Sequence, residues 1–529
     1  MRKQITLAAL LLLSLTASAQ FSLGGKKPAE KVHNAEQAIY HLYVDTVNEE
    51  KLAEDAIRGM LEKLDPHSTY STPKEVKAME EPLEGSFEGI GIQFNMIDDT
   101  LVVIQTILNG PSEKVGILAG DRIVAVDGTP IAGVKMVRED IMKRLRGKKG
   151  TKVNLEIVRR DVSDKLPFTV VRDKIPLHTI DAAYMIHPQT GYIRIGSFGA
   201  TTYDEFMEAV QRLRSEGMTD LVLDLQSNGG GYMQSAIQIA NEFLEQGDLI
   251  VYTEGRRFSR QEYNANGRGR LTDGKVIVLI DEFSASAAEI VTGALQDQDR
   301  GLVVGRRSFG KGLVQRPIKF DDGSMIRLTI AHYFTPSGRC IQKPYKKGDL
   351  KEYEMDIERR LKHGELTNPD SIHFADSLKF QTLREHRTVY GGGGIMPDYF
   401  VPLDTMKYTR FHRQLTAKSI PINATLKYID KNRTHLKKQF PDIEAFIERF
   451  EVPQTLVRTI LDEAEKQKIK PKDDDELQHT LPYMNNQLKA LVARDLFDMT
   501  EYFRVINQQS DIVQKGLQVM SEKQRENNE

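Results

Sequence analysis

At 529 residues the chain is too long for one domain, and with 40% hydrophobic and 28% charged residues it is not globally disordered and can bury sizeable cores. A net charge of −2 excludes a global basic field for nucleic acid. The single cysteine, Cys340, excludes an intrachain disulfide, and a lone cysteine reads as inert packing rather than a nucleophile.

Residues 1–19 read as a secretory signal. Arg2 and Lys3 precede an apolar run, Leu7 to Leu15, too short for a stable membrane span, and Ala17-Ser18-Ala19 fits an A-x-A cleavage site before Gln20. The mature protein is therefore expected outside the cytoplasm, in the periplasm. Residues 28–83 read as helical: Ala35, Ile39, Leu42 and Tyr43 share a face, and Leu52, Ala56, Met60 and Leu61 repeat the pattern. Asp65-Pro66-His67-Ser68 breaks the chain, with His67 read as a turn residue rather than a catalyst.

Residues 88–172 form a small, mainly β module of short strands, with Gly120-Asp121-Arg122-Ile123 marking a turn into one of them. Its opening, Gly89-Ile90-Gly91-Ile92, suggests a backbone nest that captures a peptide carboxylate while the peptide adds as a strand. Residues 173–343 alternate strands and helices, which argues α/β. Leu221 to Leu225 is a buried-type strand ending in Asn228-Gly229-Gly230-Gly231; Val276 to Ile280 precedes a helix from Ala287 to Gln296; Leu302 to Gly305 is the next strand. Residues 344–386 read as a polar insertion, 387–404 as a return to the α/β core, and 405–529 as helical. In that last region Leu456, Ile460 and Ala464 share a face, as do Leu488, Val492, Leu496, Met499 and Phe503, while Lys472 to Glu476 reads as a solvated loop.

The chemistry concentrates at two strand ends on one sheet edge, where consecutive loops meet. Ser286-Ala287-Ala288-Glu289 is a helix capping box, and a hydroxyl at a helix N-terminus also faces free N–H groups and the positive dipole end. Ser284 is a rival nucleophile that these residues alone do not exclude. Lys311 lies in Gly305-Arg306-Arg307-Ser308-Phe309-Gly310-Lys311, nearly a phosphate-binding loop. Gly312 stands where that loop needs Ser or Thr, and the following Leu313 to Ile318 reads as a strand, not a helix, which argues against nucleotide binding. As a general base Lys311 needs its pKa lowered to about 7–8, a shift of roughly 4 kcal/mol. Gln315 could orient the amine, but in a regular strand it lies roughly 13 Å from Lys311, so Gly310 to Gly312 must bend. The glycines after Asn228 could supply an oxyanion hole. No histidine spacing suggests a metal site and no cofactor is called for.

Taken together, Asp65-Pro66-His67-Ser68, the Gly89–Ile92 and Gly120–Ile123 stretches, Asp224-Leu225-Gln226-Ser227-Asn228-Gly229-Gly230, Ser284 to Glu289 and Gly310-Lys311-Gly312-Leu313-Val314-Gln315 resemble the C-terminal processing peptidases, or tail-specific proteases. The resemblance implies an α/β protease core of crotonase-like βαβ units, an inserted mainly β PDZ domain and helical N- and C-terminal regions. It implies a serine endopeptidase in which Ser286 is the nucleophile, Lys311 the base and Gln315 its support. The N–H groups of Ala287 and Gly230 would form the oxyanion hole, and Gly89, Ile90, Gly91 and Ile92 would bind the peptide. Ala288 and Gln226 depart from the family's serine and arginine, and neither removes a group the chemistry needs. The expected partners are proteins or peptides with accessible C-termini, with no metal or nucleic acid and with an adaptor or homo-oligomer left open. The alternative is a non-catalytic PDZ scaffold.

Overall fold

The computed structural model describes residues 27–160 and 162–526; the signal-sequence expectation lies outside them. The chain begins with α1 (Pro28–Leu42) and α2 (Glu49–Leu61), a short strand β1 (Thr69–Ser71) and α3 (Pro73–Leu83). The expected apolar face of α1 is not buried.

The β module is built from β2 (Ser86–Gly89), β3 (Ile92–Ile97), β4 (Thr100–Thr106), a short α4 (Pro111–Lys114), β5 (Arg122–Val126), β6 (Thr129–Pro130), α5 (Arg138–Leu145), β7 (Lys152–Val158), β8 (Leu166–Val171) and β9 (Asp173–Pro176). Its sheet runs β3-β4-β5-β7-β8, which leaves β3 as an edge. Alternation drives it: along β7, Val153, Leu155 and Ile157 point into a core shared with Ile123, Ile141 and Leu145. β2 pairs antiparallel with β9 as a two-stranded neck, so the module extends a few residues beyond 88 and 172.

The α/β core contains β10 (Ile180–His187), β11 (Thr190–Ile195), α6 (Thr202–Ser215), β12 (Asp220–Asp224), α7 (Met233–Asn241), β13 (Leu249–Gly255), β14 (Phe258–Asn264), β15 (Val276–Ile280), α8 (Ala287–Asp297), β16 (Leu302–Gly305), β17 (Leu313–Lys319) and β18 (Met325–Phe334). The central sheet has the order β10-β11-β12-β15-β16-β21, where β21 is Tyr399–Phe400, and every pairing from β11 onward is parallel. Strands β12 and β15 are buried on both faces, which is why they read as continuous apolar runs. Helices α6, α7 and α8 cover one face. A second, antiparallel sheet, β1-β18-β13-β14 with β17 on β18, stands beside it.

The insertion is not featureless. It holds α9 (Leu350–Glu354), α10 (Asp356–Lys362) and a hairpin of β19 (Lys379–Gln381) and β20 (Thr388–Tyr390), so the hairpin straddles the expected boundary at 386. The chain then returns to the core through Ile395 and β21.

The C-terminal region is helical: α11 (Arg410–Ala417), α12 (Ile420–Gln439), α13 (Ile443–Arg449), α14 (Gln454–Lys466), α15 (Asp474–Leu496), α16 (Met499–Ile506) and α17 (Asp511–Glu526). Two expectations change here. Lys472 to Glu476 is not simply a loop: Asp473 caps α15 by accepting Glu476 N–H, and the acidic run sits in its first turn, where the helix dipole favours it. The apolar face from Leu488 to Phe503 belongs to two helices, because the chain breaks at Phe497 and Asp498 recaps α16. Helix α17 packs Ile512, Val513, Leu517 and Met520 over the second face of the central sheet. No helix among the described residues is long and apolar enough to cross a membrane.

Candidate active site

Three loops meet at the carboxyl edge of the central sheet, after β12, β15 and β16. The turn after β15 places Ser286 at φ 57° and ψ −113°, a strained conformation for a residue with a side chain. Ser286 is partly exposed, and its side chain faces the Glu289 N–H of the capping box without closing a full cap hydrogen bond. Ser284 differs: it is fully buried, and its Oγ donates to Leu225 O at 2.8 Å and accepts Asp281 N–H at 2.9 Å. A hydroxyl held in that way is a structural bolt, so Ser284 and Ser286, rivals on their local residues until the resemblance favours Ser286, have opposite environments.

The loops of Ser286 and Lys311 are joined by Glu289, which is buried. One oxygen, Oε2, accepts both Ser286 N–H at 2.8 Å and Lys311 N–H at 2.9 Å, so the two backbone nitrogens are less than about 6 Å apart. The other, Oε1, accepts Gly310 N–H at 2.8 Å and Ser308 Oγ–H at 2.5 Å. Burial raises the Glu289 pKa, and these four donors oppose the rise. Tyr333 adds a second tie: its hydroxyl lies 3.1 Å from Ser286 O and 2.5 Å from Lys311 O, one proton facing two carbonyls. The S-x-x-E spacing announced the cap but not the bridge, and nothing local to Tyr333 announced its role.

Lys311 is partly buried, and its pKa falls from 10.5 to about 8. Burial is the main cause and the nearby Arg327 guanidinium the next; Glu289 and Asp65 pull the other way. At neutral to mildly alkaline pH a useful fraction of this amine is free base. The near phosphate-binding motif opens β17 rather than a helix, so no helix dipole faces a phosphate there. No hydrogen bond joins the Ser286 hydroxyl to the Lys311 amine; the ties between the two residues run through Glu289 and Tyr333.

Gln315 has a different neighbour from the one expected. Gly310 has φ +88° and β17 begins only at Leu313, so the regular-strand spacing does not apply between Lys311 and Gln315. Gln315 Nε2 donates to Thr329 Oγ1 at 3.3 Å, its partner directly across the β17–β18 ladder, and no hydrogen bond joins its carbonyl oxygen to the Lys311 amine. Thr329 in turn donates to Asp65 Oδ1 at 2.9 Å. His67 is the turn residue expected, its N–H held by Asp65 Oδ1 at 2.9 Å.

Ala287 N–H opens α8 without a partner among the described residues. Gly230 comes very close: a Cβ there would lie 2.7 Å from Ser286 Cβ and 3.0 Å from Ala287 N, so only glycine fits. Its N–H, however, donates to Asn228 Oδ1 at 2.8 Å, and Asn228 is itself anchored to Ile195 O. The expected pair of oxyanion donors is thus one free group and one engaged group.

In the β module, Gly89, Ile90, Gly91 and Ile92 line a cavity of about 360 Å³ between β3 and α5, together with Met142 and Leu145. Gly91 has φ +73°, and Ile90 is anchored by Ser112, whose hydroxyl and N–H both donate to its carbonyl. Among the described residues no strand pairs with the outer edge of β3. Phe87, Met142 and Arg146 also border a larger cleft of about 1310 Å³ that reaches Lys319 on β17. Cys340 is half-buried with its thiol pKa raised by burial, an inert environment. Among the described residues no group of three His, Cys, Asp or Glu side chains converges.

The model of peptidase family S41 matches residues 189–351, a PDZ domain model 89–170, the N-terminal domain of the activating protease CtpB 13–74, and a family of unknown function, DUF8443, 411–498. The chain is 34% identical over 369 residues to the carboxy-terminal processing protease CtpA of Bacillus subtilis, covering 67% of this chain and 78% of that protein. It is 39% identical over 305 residues to a carboxy-terminal-processing protease of Bartonella bacilliformis, covering 57% and 69%. A solved photosystem II D1 C-terminal processing protease is similar at 30% identity, covering 58% of this chain and 84% of that one, with a TM-score of 0.34. The chain belongs to the carboxy-terminal processing protease family, serine-type peptidases of family S41 that carry a PDZ domain.

Proposed function

We propose that the protein is an exported endopeptidase that holds substrate C-terminal tails in its PDZ groove and cuts nearby bonds with a Ser286–Lys311 dyad. The observation that carries this reading is the shared Glu289 oxygen, which fastens a strained, free serine and a lysine of depressed pKa at one helix N-terminus. Lys311, as free amine, takes the Ser286 proton while Oγ attacks the peptide carbonyl. The ammonium returns that proton to the leaving amine, and the resulting ester is cleared by water, with Lys311 again the base. Ala287 N–H faces the developing oxyanion at the positive end of α8. Gly230 joins it only if its peptide lets go of Asn228. Gln315 acts one step away, through Thr329 and Asp65.

The β3 edge and the Gly89–Ile92 turn support tail binding by strand addition, with the carboxylate at the turn and an apolar end between Ile92, Met142 and Leu145. The adjoining cleft carries the groove as far as Lys319, the end of β17 away from the Lys311 loop.

Purified Ser286→Ala and Lys311→Ala, given an unstructured protein with an apolar C-terminus, are expected to bind the tail and leave it intact. Cleavage by either variant overturns the assignment; tail binding without cleavage by the unaltered protein establishes the scaffold reading instead. Export predicts a mature N-terminus at Gln20, and N-terminal sequencing that still finds Met1 rejects it.

A further inference from the structure

The insertion packs against the loop that carries Lys311, through Phe309 and through Gln342 at Gly312. Tyr353, buried on α9, places its hydroxyl 2.9 Å from His67 Nε2 and within 3.4 Å of Gln342 Nε2. Gln342 Oε1 accepts Gly312 N–H at 2.9 Å, the residue next to Lys311. The Tyr353 ring meets the rings of His67 and Phe309 edge-on, with centroids 5.3 and 5.9 Å away. Lys343 caps the cluster, its ammonium 3.7 Å from the Phe309 ring centre and 4.1 Å from that of Tyr353, with Asp356 as its ion partner. The neighbouring α10 holds the same loop from behind: Arg360, almost fully buried, donates to Ser308 O and Arg307 O.

We infer that Tyr353 is a positioning residue for Lys311: through His67, Phe309 and Gln342 it keeps water away from the amine and fixes the bend at Gly312. This rests on Lys311 being the base. A tyrosine suits the position because it supplies an apolar ring for that packing and one polar tip for the two groups that flank the lysine. The charged and titratable groups around the amine are Arg327 from β18, Glu289 from α8, and Asp65 and His67 from the turn before β1. Burial, and then Lys311 itself, hold His67 at about 4, so the ring is neutral wherever Lys311 titrates and does not contribute to the same limb of a pH profile.

The test is the pH dependence of kcat/KM for peptide cleavage by the full chain. In Tyr353→Leu water reaches the amine and its acid limb moves up, so kcat/KM falls about tenfold at pH 7.5 and recovers by pH 9.5. Tyr353→Phe keeps the ring but releases His67, with a fall of about threefold at pH 7.5 and the same recovery. An unmoved limb, or a loss equal at every pH, overturns the inference; if Tyr353→Leu does not fold, Tyr353→Phe decides by the same criterion. Lys311→Ala is measured alongside. If it is inactive while the limb of the tyrosine variants stays put, only the role of Tyr353 fails; if it still cleaves, the base assignment fails and this inference with it.

Discussion

Lys311 couples the stability of this site to pH. Its pKa of about 8 in the folded protein, against 10.5 ordinarily, means the unfolded chain binds the extra proton between those values. Stability therefore rises with pH across that window, and below about pH 8 the full penalty of a charged, desolvated amine is present, on the order of 3 kcal/mol. Lys311→Met is expected to raise the unfolding temperature at pH 7 while abolishing cleavage, and to gain much less at pH 10.5. Thermal unfolding at the two pH values checks this; a variant no more stable than the parent at pH 7 contradicts it. The strain at Ser286 belongs to the same account. A serine at φ 57° persists because Glu289, Tyr333 and the close approach of Gly230 leave its backbone no other place.

Helix α17 shows how one element far from the site stabilises the sheet that carries it. Ile512, Val513, Leu517 and Met520 recur at helical spacing and face Val222, Ile277 and Leu279. Gly516 lies within this stripe, where a Cβ would stand 2.8 Å from Leu279 Cδ2. Here glycine serves closeness rather than backbone freedom. Gly516→Leu should push the helix off β15 and cost about 2–3 kcal/mol through overpacking, read as a lower urea midpoint. Near-normal cleavage at low denaturant is expected to remain, since the Ser286 loop leaves the sheet at its carboxyl edge rather than on that face.

Across the whole molecule, the PDZ domain is held from two sides. Arg146 pairs with Glu81 on α3 at 2.5 Å. Opposite, Asp430 on α12 accepts from Arg122 at 2.6 Å and Arg160 at 3.1 Å, and Arg160 also donates to the Asp430 carbonyl. Asp430 is mostly buried, unlike the exposed Lys427–Asp98 pair beside it, so its contacts are less screened. Asp430→Ala should loosen this side of the domain. Faster amide exchange in β5 and β7, with the central sheet unaffected, is the expected result, whereas unchanged exchange there would show that Asp430 does not restrain the domain.

The chain by itself determined the order of modules, the strands and helices of the core and the motifs at its carboxyl edge, because these follow from local periodicity and short spacings. Apolar runs become doubly buried strands, alternation becomes the PDZ sheet, and Ser-x-x-Glu becomes a helix start. Only tertiary structure decided which serine is free, since the hydroxyl of Ser284 is held by Leu225 O, 59 residues away, as well as by its neighbour Asp281. It also decided that Glu289 bridges two loops, that Gln315 faces Thr329, that the Gly230 N–H is occupied, and that an insertion without motifs supplies Tyr353. Local pattern fixes which face a residue presents along its own element; desolvation and hydrogen-bond partnership are set by whatever distant segment packs against that face, and these are what lower the pKa of Lys311.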